Sequence, residues 1–285
     1  MSRRIRIGTY NIRDLFAWVS VKGRRRRKRA LAVKDACAEI IRKADCDLLA
    51  LQEVGDDRSL EDFNQHRLGA LYAHQAMSRG NSERGIHVAL LSRFPVNSLL
   101  SHRETTLMQD DELLRDLQDR PLGFRRDLLQ AEVEIGEHRL TLFLAHLKSQ
   151  RPLDRRRFDL SADNYRRAEA EAAARLIAPM ATNPKASHFA VLGDFNDDDR
   201  PDSPIAPLAE MTGLFDPLKE EVNDPEERWT AQWRRFGRRR FDYALLSESL
   251  RPFYINGSVR VHREGESAAY ASDHRLVSVD LRLPD

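Results

Sequence analysis

Cysteine is scarce. Cys37 and Cys46 are the only two in 285 residues, with no CxxC pair and no zinc-type spacing. A disulfide-stapled scaffold is excluded, and a reducing cytoplasm is the expected compartment. The plain reading makes Cys37 a core residue and Cys46 a loop residue. Long apolar runs are missing as well. Nothing reaches the roughly 18 residues needed to span a membrane, and Met1-Ser-Arg-Arg-Ile-Arg leads into no secretory hydrophobic stretch. No repeat, low-complexity tract or Gly/Ser linker divides the chain, so one domain over residues 1–285 is expected. A large charge of either sign is absent: 47 Lys+Arg against 45 Asp+Glu leaves +2. Lysine itself is rare, since seven of those 47 cations are Lys and the remaining 40 are Arg. Guanidinium grips phosphate oxygens in a rigid fork, so the bias suits phosphate chemistry. A G+C-rich genome would produce the same bias.

What is present is enough apolar material for a core, at 41% hydrophobic residues, which excludes a wholly disordered chain. Short β-like runs recur at 5–10, 47–52, 86–92, 129–135, 140–146, 188–194, 241–246 and 276–281. Several are continuously apolar, as Leu-Thr-Leu-Phe-Leu-Ala at 140–145, which is the mark of a strand covered on both faces. Two helices are predicted. One spans 25–44, with Val33, Cys37, Ile40, Ile41 and Ala44 on one face; the other spans 162–178, capped by Ser161 and stopped by Pro179. This alternation predicts a layered α/β domain.

Polar residues gather where those strands begin or end. Val191-Leu-Gly-Asp194-Phe-Asn196 ends an apolar run in a carboxylate and a carboxamide two residues apart, a spacing that puts both on one side of an extended chain. Ser272-Asp273-His274 precedes a strand, Glu53 ends one, Asn11 lies just past another, His146 closes a fourth with Lys148 beyond it, and Asp242 opens a fifth. Each has an ordinary alternative, such as an acidic cap, a surface turn or a strand emerging into water. Together they offer hard oxygens and imidazoles without a thiolate, a donor set for Mg²⁺ or Mn²⁺.

Residues 9–11 (TYN), 51–54 (LQEV), 125–129 (RRDLL), 146–149 (HLKS), 193–196 (GDFN), 241–243 (FDY) and 272–274 (SDH) together resemble the endonuclease/exonuclease/phosphatase superfamily, in the family's order and over nearly the whole chain. The resemblance implies a deoxyribonuclease I-like, four-layer α/β sandwich: two mixed β-sheets packed face to face with helices outside. It also implies a metal-dependent phosphoric ester hydrolase. Carried over residue by residue, it makes Glu53 the main metal ligand, with Asn11 beside it and Asp273 completing the metal end. Asp194 and Asn196 would hold the attacking water and a phosphate oxygen. His146 and His274 would touch the scissile phosphate or move protons, Asp242 would orient an imidazole, and Arg126 and Lys148 would bind substrate.

HLKS and RRDLL look most like the nuclease side. The AP endonuclease branch has a Tyr- and Asn-containing segment in place of HLKS. The inositol 5-phosphatase branch has a Cys-containing segment near RRRFDYALL. Basic runs at 22–29, at 151 and 155–157, and at 234–235 and 238–240 suit a polyanion, and Trp229 and Trp233 could stack on bases or simply pack. The expected activity is a Mg²⁺-dependent phosphodiesterase on nucleic acid, DNA ahead of RNA. The alternatives are hydrolysis of a small phosphorylated metabolite or lipid headgroup, and a noncatalytic module of the same fold. His74 and His87 read as structural histidines, and Asp197–Asp199 as a solvated turn ahead of an extension of the metal end.

Overall fold

Side-chain alternation gives the central strands two covered faces. A computed structural model describes residues 2–16, 24–107, 115–182, 188–233, 235, 237–263 and 271–284. In β1 (Ser2–Leu15), Ile5 and Ile7 point to one side while Tyr10 and Ile12 point to the other. In β2 (Leu48–Val54), Leu48 and Ala50 face the same side as Ile5, whereas Leu49 and Leu51 face α1 (Arg24–Ala44) and α2 (Asp57–His66).

Among the described residues the strands form two six-stranded mixed sheets. The first adds β3 (His74–Ser78), β4 (His87–Ser92), β13 (Arg260–His262) and β14 (Leu276–Pro284), in the order β13-β14-β1-β2-β4-β3. The second contains β5 (Val96–Ser101), β6 (Leu128–Ile135), β7 (His138–His146), β8 (His188–Asp194), β9 (Leu214–Phe215) and β12 (Asp242–Ser247), in the order β5-β6-β7-β8-β12-β9. A separate ribbon pairs β10 (Ala231–Trp233) with β11 (Gly237–Arg239).

One apolar cluster unites the inner faces, with Ile5, Leu48, Val88 and Val277 from the first sheet against Leu129, Leu142, Leu192 and Ala244 from the second. A second lies under α1 and α2. A third lies between the second sheet and α3 (Ala162–Ala181), where Tyr165, Ala172 and Ile177 meet Phe143 and Phe189. The layers are therefore helix, sheet, sheet, helix, as the resemblance implied.

Connectivity decides where the site lies. Each sheet holds one parallel pair, β1/β2 and β7/β8, joined through α1 and α3. Their C-terminal ends lie at one edge of the sandwich, where strands antiparallel to them must begin: β4, β6, β12 and β14. The carboxyl edge of parallel strands is where open α/β sheets bind ligands.

The eight expected runs are all strands. The differences are local. β1 continues to Leu15 through an irregularity after Asn11, and α3 carries Pro179 inside it and ends at Ala181. Ser161 does cap α3, accepting from the Asn164 N–H at 3.0 Å. Cys46 lies between α1 and β2, yet its side chain is fully buried in the cluster that holds Cys37. Among the described residues no helix is long and apolar enough to cross a membrane.

Candidate active site

The period of two that builds the inner core also aims the polar groups. Leu140, Leu142 and Leu144 face the core between the sheets, and the next residue in that series is His146. Ala190 and Leu192 lead likewise to Asp194, and Ala244 and Leu246 continue the face that Asp242 begins. The strands pair in a register that sets Asp194 beside both His146 and Asp242. Gly193 permits this: with φ of 155°, a Cβ there would lie 1.9 Å from the Ala145 carbonyl oxygen.

Glu53 breaks the alternation. It would follow Leu49 and Leu51 toward the helices, but the β2–β4 register shifts between Gln52 and Val54, and Glu53 takes φ of +64°. That bulge turns its carboxylate into the cleft. Asn196, at φ of +58°, adopts the same costly left-handed backbone, and such positions concentrate at functional sites.

Asp194 is the buried centre. Its Oδ2 accepts from Asn11 Nδ2 at 2.8 Å, and its Oδ1 accepts from the Asn196 N–H at 2.8 Å. His146 Nε2 lies 3.5 Å and His274 Nε2 3.8 Å from that Oδ2. Burial raises the Asp194 pKa to about 7, Asp242 adds to the effect, and His274 and Asn11 oppose it. His274 behaves differently. Burial alone would lower its pKa, but Asp242, bonded to Nδ1 at 2.9 Å, together with Asp194 raises it to about 10. His274 is therefore an imidazolium at neutral pH. His146 is the reverse: burial, then Arg126 and His274, hold it well below its ordinary value, and its buried Nδ1 finds no partner among the described residues.

Asp194, Asp242 and His274 each bring a ligand atom within 4.8 Å of the others, a spacing an ion could use. Both Asp242 oxygens are nevertheless engaged by His274 Nδ1, and Oδ2 also accepts from Thr230 Oγ1 at 2.8 Å. The Glu53 end fits a divalent cation better. Burial and the neighbouring Asp14 carboxylate raise the Glu53 pKa, and the nearest compensating side chain, Arg84, stands 3.7 Å away. Crowded, half-shielded carboxylates of this kind favour a hard cation.

Asn11, Glu53, Arg126, His146, Asp194, Asn196, Asp273 and His274 all line one cleft of about 570 Å³, and Asp242 stands behind His274. Asp273 is already engaged, accepting from Trp233 Nε1 at 2.6 Å and lying 3.7 Å from Arg13. Lys148 is not brought into the cleft; its Nζ donates to the carbonyls of Ser149 and Arg151, both at 2.6 Å.

Arg13, Asp14 and Arg84 also line the cleft and were not expected. Arg84 is found only once β4 is known to start opposite the end of β2. Thr230, the hidden anchor of Asp242, left no sequence signal. The expected solvated turn is corrected: Asp197 is buried on Arg166, and Asp199 pairs with Arg228 and Arg240, because these carboxylates lie against buried guanidiniums. His87 is satisfied by the Gly80 N–H, as a structural histidine should be. The basic run 22–29 and Arg234 lie outside the described side chains.

A family model described as Endonuclease/Exonuclease/phosphatase family matches residues 8–274. Among solved structures, truncated TDP2 of Caenorhabditis elegans aligns with a TM-score of 0.64 at 20% identity, covering 98% of this chain and 97% of that one. The human Nocturnin catalytic domain, with bound sulfate, gives 0.64 at 17% identity, over 99% and 95%. The 3′ phosphatase NExo from Neisseria, bound to product DNA hairpin, gives 0.62 at 17% identity, over 97% and 99%. No curated protein matches in sequence.

Proposed function

Because the chain belongs to the endonuclease/exonuclease/phosphatase family of metal-dependent phosphoric ester hydrolases, we propose that its cleft hydrolyses phosphodiester bonds of nucleic acid, DNA ahead of RNA, by in-line attack of water. The observation that carries this reading is Asp194. It is a fully buried carboxylate fixed by two nitrogen donors, flanked by two imidazoles, and open to a cleft lined by Arg13, Arg84, Arg126, Arg151 and Arg239.

Asp194 takes the proton of the attacking water as the P–O bond to the leaving oxygen breaks and that oxygen is protonated from solvent; an acceptor titrating near neutrality is matched to that task. His274, kept protonated by Asp242, donates to a phosphoryl oxygen as charge builds there. Neutral His146 flanks the same group through Nε2, 3.5 Å from Asp194 Oδ2, and Arg126 adds fixed positive charge. Glu53, with Asn11 beside it, would hold Mg²⁺, or Mn²⁺ in its place, and Asp273 adds negative charge at that end. When bound, the cation neutralises the phosphoryl oxygens and polarises the P–O bond.

Sequence-blind binding to a polyanion follows from guanidiniums around the cleft. Trp233 adds an aromatic edge beside His274, with ring centroids 5.7 Å apart. The DNA held by NExo supports the same substrate class. The two buried free thiols accord with a reducing cytoplasm.

The test measures turnover of plasmid DNA, single-stranded RNA, a 3′-phosphorylated oligonucleotide and a bis-aryl phosphodiester, with Mg²⁺, with Mn²⁺ and with EDTA. Metal-dependent cleavage of the nucleic acids, fastest on DNA, is expected. Turnover confined to a small phosphoester would replace the nuclease reading, and no turnover of any substrate would leave a binding module.

A further inference from the structure

Behind the cleft, α3 carries two buried charged residues one turn apart that take no part in the chemistry above. Glu169 is 0% exposed and Arg166 1% exposed. Glu169 Oε1 accepts from the Arg125 N–H at 2.8 Å, and Oε2 accepts from the Lys148 N–H at 2.5 Å. One carboxylate thus ties the segment before β6 to the segment after β7. Arg166 Nη1 donates to the Lys148 carbonyl at 3.0 Å, and its Nε and Nη2 hold Asp197 Oδ2 at 3.1 and 2.5 Å. The peptide groups on either side of Lys148 are therefore fixed from α3, through its N–H and its C=O.

The residue before it completes the junction. Leu147 donates its N–H to the Asp194 carbonyl at 3.0 Å, and its own carbonyl accepts from Arg126 Nη1 at 2.9 Å and from Asn196 Nδ2 at 3.0 Å. Residues 147–148 directly follow His146. Three groups that face the reacting phosphate, His146, Arg126 and Asn196, thus take their places from one dipeptide, and α3 grips that dipeptide.

We propose that Glu169, assisted by Arg166, is a positioning residue that sets His146, Arg126 and Asn196 relative to Asp194. This rests on the phosphodiesterase reading for its catalytic consequence, though not for its geometric one. A stabilising apolar residue at 169 would leave two buried N–H groups orphaned. A glutamine would satisfy only one, because its amide nitrogen would meet the other N–H donor to donor. Charge-assisted bonds to backbone N–H groups are short and directional, which suits a device that fixes position.

The experiment compares wild type and Glu169→Gln by thermal melting, by kcat and KM on the bis-aryl phosphodiester, and by histidine-selective ring NMR. The variant is expected to fold, to keep KM within about twofold, and to lose roughly a hundredfold in kcat, the cost of about 1 Å of misplacement. The His146 ring signals should move while those of His87 and His188 stay. A variant with unchanged kcat and unmoved His146 signals, whatever its melting temperature, overturns the proposal. If wild type turns over no phosphodiester, the functional reading fails, and the His146 signals alone decide the positioning claim. Should Glu169→Gln not fold, Arg166→Lys supplies the same readouts, since one ammonium cannot span Lys148 and Asp197.

Discussion

At the scale of single residues, the site separates two imidazoles by their surroundings. His274 has a carboxylate on Nδ1 and another facing Nε2, so it stays charged, whereas His146 is buried beside Arg126 and stays neutral. Replacing Asp194 or His274 by Ala is expected to lower turnover at least about a hundredfold, in line with removal of a general base or an electrostatic donor. Both variants should melt cooperatively, and wild-type-like turnover in either would remove that residue from the mechanism. Asp242→Asn tests the charge on His274 directly. Without that carboxylate the ring should titrate well below about 10, nearer its ordinary value, as read by histidine NMR. An unshifted titration would assign the raised value to Asp194 alone.

At the scale of elements, strand ends do the aiming. β7 and β8 approach so closely at Gly193 that no side chain fits there, and the contact puts His146 directly beside Asp194 in register. Gly193→Ala should therefore destabilise by more than the roughly 1 kcal/mol typical of point substitutions, through both the clash and the unfavourable φ. Urea denaturation measures it. A midpoint equal to wild type would show that the strands can separate at no cost, and the account of how β7 and β8 present their carboxyl ends would fail.

For the whole molecule, buried titrating groups couple folding to pH. The folded-state value of His274 is raised from 6.5 to about 10. Its contribution is fully present below pH 6.5 and is lost as pH rises toward 10, because the unfolded chain gives up the proton first. Asp194, raised from 3.8 to about 7, acts in the same sense, losing its contribution between those values. In EDTA, stability should fall between pH 6.5 and 8.5 by on the order of 1 kcal/mol per pH unit. In an Asp194→Asn background, where the carboxylate that His274 holds down can supply no slope of its own, adding His274→Asn should abolish most of that slope. Urea midpoints at three pH values check this, and equal slopes in the two proteins would contradict the charged state assigned to His274.

Eight of the strands, the two long helices and eight of the polar residues lining the cleft were legible in the amino-acid order alone. Apolar runs covered on both faces have a recognisable composition, and a carboxylate or imidazole at the end of such a run stands out against it. Glu53, His146, Asp194 and Asp242 were all legible on that ground. Short edge strands such as β5, with only Val96 partly covered in the run VNSLLS, carry no such contrast and were not. Folding in three dimensions set which ends share one edge, and with that the arrival of Arg84 beside Glu53, the anchoring of Asp242 by Thr230 and the retreat of Lys148 onto backbone carbonyls. It also buried Asp197 on Arg166 and set Glu169 between two segments 23 residues apart (125 and 148). Such contacts depend on register and crossover, which bring together residues far apart in the chain, and no local pattern of polarity encodes them.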